Sequence, residues 1–387
     1  MRGCSVDQGS AQTRHDQAEK GHGRLKERID TLDELRALAI GAVMLSHFAL
    51  AFGSQSIVAF WLNLPDLSVG VDLFFVISGF LIFQNLADLA ESANTFTRVV
   101  GAFYARRVTR VALPAWTILA VIALADLEPP ASSANDFWAA SAFVANVHWA
   151  RCEIDARCGD ALATSHFWSL ASEAQFYFLA PALLLARARA PLYVVITAIL
   201  LLALIPHPHG SLLWALRPEA LLLGAALASE VRRRATWLVK APPVTAGVAA
   251  WWSLVASMMA RIAIGPFSGL AWALVALISA GVVLGRLKGP PIAGPVGNAV
   301  RRAGRVSFSV YLVHLPLIGV AAESFAAKIG VTPAVFGALA AIAAATIVVE
   351  FAIVQPAAQL GRAWSARIAL KEAPMRSSRA KIRSSAM

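Results

Sequence analysis

The feature that most constrains this chain is a series of continuous apolar blocks, each about 17–21 residues long. A helix of that length, rising 1.5 Å per residue, crosses a hydrocarbon core of about 30 Å. Hydrophobic residues make up 58% of the 387 residues and charged residues only 15%, unlike the balance of soluble domains. Because the blocks are continuous rather than alternating, they indicate helices and not a barrel. We therefore predict an all-α, polytopic membrane protein.

Ten such blocks define the predicted organisation. They lie near residues 35–53, 68–86, 111–127, 166–186, 191–206, 212–229, 243–260, 268–285, 306–324 and 333–354. We expect a mobile polar N-terminus over 1–29, one transmembrane domain over 30–360 and a basic tail over 361–387. The polar start has no apolar core, so we expect no cleavable signal peptide.

Positive charge is distributed unevenly between the loops. With the N-terminus inside, 28 of the 34 Lys and Arg residues fall on the inner side and four on the outer side. This is the positive-inside pattern. It predicts a multi-pass membrane protein with both termini in the cytoplasm. The net charge of +11 is then a topology signal, so we expect membrane lipids and no nucleic acid as partners.

Two polar residues stand out in the first block. Arg36 and His47 are eleven residues apart, so on a helix they share one face about 16 Å apart. Ionisable groups are costly in lipid and usually face a polar cavity. The pair therefore marks a candidate functional site.

Later blocks add further polar side chains. Asp72 either orients a histidine or begins a solvated helix. Glu173 and Tyr177 share a helix face, and Trp168 lies close to it. Arg217, Glu219 and His314 also fall at membrane depth. Ionisable groups on several helices predict one shared polar cavity.

Three arginines, Arg106, Arg107 and Arg110, lie within one helical turn. Guanidinium groups at the cytoplasmic surface suit the phosphates of an anionic cofactor. They equally suit a cluster that only fixes topology.

No GxGxxG after a strand, P-loop, GxSxG or HExxH motif is present, which argues against nucleotide hydrolysis. No zinc-ligand set is recognisable, so no metal is expected. Cys152 and Cys158, in the long outer loop, either form a disulfide or remain two thiols.

Five motifs occur in a characteristic order: LDELRALAIGAVMLSH, GVDLFFVISGFLI, FYARRVTRVALPAW, HFWSLASEAQFYFLAPALL and SFSVYLVHLPL. In this order they resemble the type 3 family of transmembrane acyltransferases, bacterial O-acyltransferases of surface glycans. The resemblance covers about residues 30–360. The family's Arg-x10-His motif falls on Arg36 and His47, and its Arg-x-x-Arg motif on Arg107 and Arg110.

The remaining family elements also have counterparts. The WSL-x-x-E-x-x-FY element falls on Trp168, Glu173 and Tyr177, and the SY-x-x-YL-x-H element on Ser307, Tyr311 and His314. Phe308 replaces the usual Tyr. Gln355 stands where a Glu is usual, and Glu350 lies about one turn away.

The resemblance implies acyl transfer, with acetyl-CoA or another acyl-CoA as the cytoplasmic donor and a hydroxyl of a glycan, glycolipid or glycoside as acceptor. We expect His47, Arg36, Glu173 and Asp72 to be catalytic, with His47 as general base or as the site of a transient acyl-histidine. Arg106, Arg107 and Arg110 are expected to bind the donor phosphates. Trp168, Tyr177, Tyr311 and His314 are expected to bind substrate.

Two other function classes fit the same residues. A transporter or exporter of a polar or acylated solute would also place Arg, His and Glu in a membrane cavity. A scaffold or sensor of envelope assembly is the third hypothesis. Paired repeats, which many transporters contain, are not evident in the sequence.

Overall fold

The described part of the chain is built from helices and contains no β-strand. The structure is a computed structural model that describes residues 8–53, 67–93, 95–125, 127, 133–154, 162–185, 191–208, 211–233, 242–249, 255 and 268–370. The predicted all-α class is confirmed.

The helices follow one another in this order: α1 Gln8–Phe52, α2 Gly70–Ser92, α3 Phe96–Arg107, α4 Leu113–Leu124, α5 Ser133–Ser141, α6 Ala145–Ile154, α7 Leu162–Ser165, α8 Phe167–Leu185, α9 Pro191–Ala203, α10 Leu212–Leu216, α11 Pro218–Arg233, α12 Ser268–Arg286, α13 Gly294–Arg305, α14 Ser307–Val320, α15 Ala326–Ile329, α16 Val331–Val349 and α17 Gln355–Leu370. Three π-helical turns, Val108–Ala112, Ala321–Phe325 and Glu350–Val354, join α3 to α4, α14 to α15 and α16 to α17.

Seven helical segments within the described residues are long and apolar enough to cross a membrane. They are Asp30–Phe52, Leu67–Ser92, Phe96–Leu124, Leu212–Arg233, Ser268–Arg286, Ser307–Ile329 and Val331–Ala369. The predicted blocks 166–186 and 191–206 correspond to the helices α8 and α9, and most of 243–260 lies outside the described residues. The chain is therefore a multi-pass membrane protein.

The segment with the three arginines differs from its predicted bounds. Its helix begins at Phe96 and runs without a break to Leu124, whereas the apolar block predicts a start near residue 111. Arg106 and Arg107 interrupt the apolar pattern before residue 111, and both contact neighbouring helices. Local hydropathy therefore underestimates the length of this helix.

The span predicted over 212–229 is interrupted at Arg217, between α10 and α11. Arg217 has φ 38°, in the left-handed region, and Pro218 follows it. A residue before proline avoids the helical conformation, so the local sequence explains the break.

Helices α2 and α11 cross in direct backbone contact. A Cβ atom at Gly79 would overlap the carbonyl of Leu221, and one at Gly224 would overlap the carbonyl of Val76. The two glycines therefore let the helices approach more closely than any other residue would.

Candidate active site

Two histidines from distant parts of the chain form the centre of the site. His47 of α1 and His314 of α14 are joined by a hydrogen bond of 2.8 Å between Nδ1 of His47 and Nε2 of His314. Their rings are stacked, with centroids 5.0 Å apart. His314 is fully buried, whereas His47 is partly exposed. The ring of His47 is thus held on one side by His314.

Backbone carbonyls determine which nitrogen of His314 carries the proton. Its Nδ1 lies 2.8 Å from the carbonyl oxygen of Tyr311 and 3.2 Å from that of Val310. A carbonyl only accepts, so Nδ1 of His314 is the donor. In the neutral ring Nε2 then accepts, and His47 donates from its own Nδ1. The lone pair on Nε2 of His47 remains available as a base.

A third histidine, His166, completes a cluster at this end of the site. It forms the turn between α7 and α8, with its ring centroid 5.3 Å from that of His314 and 4.9 Å from that of Tyr311. The Tyr311 hydroxyl donates to the His166 carbonyl at 2.6 Å. We call His47, His166 and His314 the histidine cluster.

The other end of the site is positively charged. Arg36 interacts electrostatically with Glu173 and Arg107, and Arg110 does so with Glu173, Arg36 and Arg107. The guanidinium of Arg107 lies over the Tyr177 ring, 5.1 Å from its centroid. We call Arg36, Arg107 and Arg110 the arginine cluster; together the three carry more charge than Glu173 neutralises.

A hydrogen bond holds Glu173 in place, and an ion pair holds Arg36. The Tyr177 hydroxyl donates to Oε1 of Glu173 at 2.7 Å. Nη1 of Arg36 lies 3.5 Å from Oδ1 of Asp33. The carboxylates of Glu173 and Asp33 therefore position the arginine cluster but do not neutralise all of its charge.

The two clusters are separated from each other along the lengths of helices α1 and α8. From Arg36 to His47 is eleven residues, about 16 Å along α1. From Glu173 back to His166 is seven residues, about 10 Å along α8. The site is therefore elongated, with an arginine end and a histidine end.

The predicted arginine triplet is divided between two surroundings. Arg107 and Arg110 belong to the arginine cluster, but Nε of Arg106 donates to Oγ of Ser365 at 2.8 Å, on α17. Neighbouring positions on a helix point about 100° apart, so only part of the triplet meets Glu173.

Asp72 is paired differently from the hypothesis that it orients a histidine. It is buried and ion-paired with Arg217. The Arg217 guanidinium lies 3.9 Å from the ring centroid of Trp272 and 5.0 Å from that of Trp214. This geometry gives Asp72 a structural partner at the break between α10 and α11.

Trp168 packs in the same region. Its ring stacks on Trp214 with centroids 4.9 Å apart, and Arg217 lies over it at 5.5 Å. Of the four residues expected to bind substrate, the structure places Tyr311 and His314 at the histidine end, Tyr177 at the arginine end and Trp168 beside Arg217.

Glu350 lies about one helical turn from the position where the family usually has a glutamate. It accepts a hydrogen bond of 2.6 Å from Ser309 of α14 and one of 3.2 Å from Gln355. Ser309 is five residues from His314. Glu350 therefore anchors the helix that presents His314.

The described residues include one of the two loop cysteines and can be searched for a metal site. Cys152 is disulfide-bonded, while Cys158 lies outside the described residues. Among the residues that are described, no group of three or more His, Cys, Asp or Glu is arranged to hold a metal ion.

The predicted site does not include His166, and the sequence does not identify Asp72 as the partner of Arg217. The signal for His166 is its position two residues before Trp168, inside the motif. Nothing in the local sequence pairs Arg217 with Asp72, because the two are 145 residues apart.

Comparison with known proteins decides the family. The family described as "Acyltransferase domain" matches residues 29–352, which contain both clusters. The chain belongs to this family of type 3 acyltransferases. The resemblance read from the five motifs is therefore confirmed.

One curated relative is described by its activity. It is a Staphylococcus aureus (strain COL) protein described as "Putative O-acetyltransferase", 32% identical over 174 residues. The match covers 43% of this chain and 26% of the relative, so the chain spans about a quarter of that protein. No solved structure matches the chain significantly.

Proposed function

We propose that this acyltransferase moves an acyl group, most simply acetyl, from cytoplasmic acyl-CoA to a hydroxyl of a carbohydrate or glycolipid. The observation that carries the proposal is the His47–His314 hydrogen bond in a site whose other end is the arginine cluster. One end offers a base. The other end offers arginine side chains whose positive charge is only partly neutralised by carboxylates. An acyl-CoA thioester, with its phosphates remote from the reacting carbonyl, fits both.

The donor would lie along α1. Arg36, Arg107 and Arg110 would bind its phosphates through charge-assisted hydrogen bonds. The pantetheine arm would extend toward His47, about 16 Å away. Arg36 is too far from His47 to neutralise charge at the thioester carbonyl, so we propose that it positions the donor.

Chemistry would take place at His47. Its Nε2 removes the proton of the acceptor hydroxyl while the hydroxyl oxygen attacks the thioester carbonyl carbon. The new C–O ester bond forms, the C–S bond breaks, and the CoA thiolate leaves with the proton that His47 took. Such proton transfer typically contributes about 10²–10⁴ in rate. His314 holds the ring in the required tautomer, as the third member of a catalytic triad does.

The remaining predicted residues would act in support. Glu173 would position the arginine cluster, and Tyr177 would position Glu173. For Asp72 we propose a structural role with Arg217. The positive-inside pattern supports a cytoplasmic membrane location with both termini inside, so the donor phosphates would enter from the cytoplasm.

Label transfer in proteoliposomes tests this proposal. The purified protein is incubated with acetyl-CoA labelled in the acetyl group and with glycolipids extracted from the expressing bacterium. We expect label on the glycolipid as an ester that mild base releases. Label that accumulates inside the vesicles without covalent attachment would instead support the transport function.

A further inference from the structure

The ring of His166 is buried and yet makes no hydrogen bond. The residue is buried, with 2% of its surface exposed, and neither Nδ1 nor Nε2 of its ring has a hydrogen-bond partner. Buried polar side chains are nearly always paired. Because both ring nitrogens lack a protein partner, the ring has a donor and an acceptor left for a ligand.

The backbone of His166 is, by contrast, firmly held. Its carbonyl oxygen accepts hydrogen bonds from the Tyr311 hydroxyl at 2.6 Å and from Oγ of Ser169 at 3.1 Å. Phe167 and Tyr311 pack against the ring, with centroids 4.7 and 4.9 Å away. The ring is therefore fixed in position while its nitrogens stay unpaired.

The location of His166 indicates which substrate it meets. It precedes α8, whereas Glu173 lies about 10 Å further along that helix beside the arginine cluster. The His166 ring lies 5.3 Å from that of His314, the histidine that is hydrogen-bonded to His47. A ligand of its ring is thus next to the base and remote from the cations that suit phosphates.

We propose that His166 binds the hydroxyl of the acceptor and places it beside Nε2 of His47. A neutral imidazole has one N–H donor and one lone pair, which complement the lone pairs and the O–H of an alcohol. This inference rests on the proposed function and extends it: the donor enters at the arginine end, and the hydroxyl acceptor enters at the histidine end. His166 is the acceptor contact that determines acceptor affinity.

Steady-state kinetics in proteoliposomes tests the assignment. The concentrations of acetyl-CoA and of extracted envelope glycolipid are varied separately for wild type, His166→Phe and His166→Gln. We expect His166→Phe to raise the apparent KM for glycolipid about 3- to 10-fold, the effect of losing one neutral hydrogen bond. The KM for acetyl-CoA should stay unchanged. His166→Gln keeps a donor and an acceptor and should recover part of the affinity.

His148→Gln is the matched control. His148 is a half-buried histidine whose Nε2 bonds Asp136 at 2.6 Å, outside the histidine cluster. This variant should keep both KM values.

Several results would overturn the proposal. They are a changed KM for acetyl-CoA in His166→Phe, a loss of kcat with both KM values constant, unchanged kinetics, or unfolding of both His166 variants. A wild-type protein that transfers no label to glycolipid would contradict the proposed function itself, and this inference with it.

Discussion

At the residue scale, the tautomer of His314 determines what His47 can do. The Tyr311 carbonyl fixes the proton on Nδ1 of His314, and the 2.8 Å hydrogen bond then fixes the proton of His47. The proposal for His47 therefore depends on His314, a residue for which the family resemblance implies substrate binding.

Replacing His314 by Phe separates these two roles. Phe keeps the ring volume but removes the acceptor for Nδ1 of His47, so His47 loses its preferred tautomer. We expect kcat to fall about 10²-fold, within the range of general-base effects, with the KM for acetyl-CoA unchanged. Steady-state kinetics measures both values. An increased KM with an unchanged kcat would instead place His314 in contact with substrate.

The division of the arginine triplet gives a second prediction at this scale. Arg107→Gln removes a member of the arginine cluster, so we expect the Kd for CoA to rise about 10-fold or more, the size of a charge-assisted hydrogen bond. Arg106→Gln is the matched control, because Arg106 bonds Ser365 instead. Calorimetric titration with CoA measures both. Equal losses in the two variants would contradict the division.

At the element scale, packing and ion pairs between distant helices position the site. The glycine contacts of α2 with α11 and the Asp72–Arg217 pair connect the same two regions of the chain. Both features are structural in this account, and each can be tested by stability.

Gly79→Ala should destabilise the contact between α2 and α11. The added Cβ overlaps the carbonyl of Leu221, and overpacking of this kind costs about 1–3 kcal/mol. Gly337→Ala is the control, since a Cβ there meets nothing within 4 Å. Thermal unfolding in detergent should show a lower Tm only for Gly79→Ala. Equal Tm values in the two variants would argue against the close contact.

Asp72 can be tested with its partner. Asp72→Ala alone leaves Arg217 buried without its carboxylate and should cost about 3–5 kcal/mol of unfolding free energy. The double variant Asp72→Leu with Arg217→Met removes both charges and should recover much of the stability. Thermal unfolding and label transfer are measured together. A stable double variant without activity would return Asp72 to the catalytic residues.

The sequence predicts the helices well because apolar blocks of membrane length are a local signal. It also predicts that Arg36 and His47 share a face, which follows from helix geometry alone. It does not predict that His314 meets His47 or that Asp72 meets Arg217, because those contacts join positions 267 and 145 residues apart. The sequence places the start of the helix that contains α3 too late, because local hydropathy does not reveal the contacts with other helices that accommodate its arginines.

At the scale of the whole molecule, the proposed function brings two substrates together inside a membrane protein. The arginine cluster and the histidine cluster lie at opposite ends of an elongated site formed by α1, α8 and α14. In the proposed function the arginine end faces the cytoplasm, as the charge distribution predicts. The proposed acyl transfer therefore requires His47 to lie at the point where the donor and the acceptor meet.

The most direct test of this central claim is the rate of acetyl transfer by His47→Gln. Gln has no basic nitrogen, so we expect kcat to fall by about 10²-fold or more. The Kd for CoA should stay within about 2-fold of wild type, since the arginine cluster remains intact. Transfer at the wild-type rate by a folded His47→Gln protein would contradict the account.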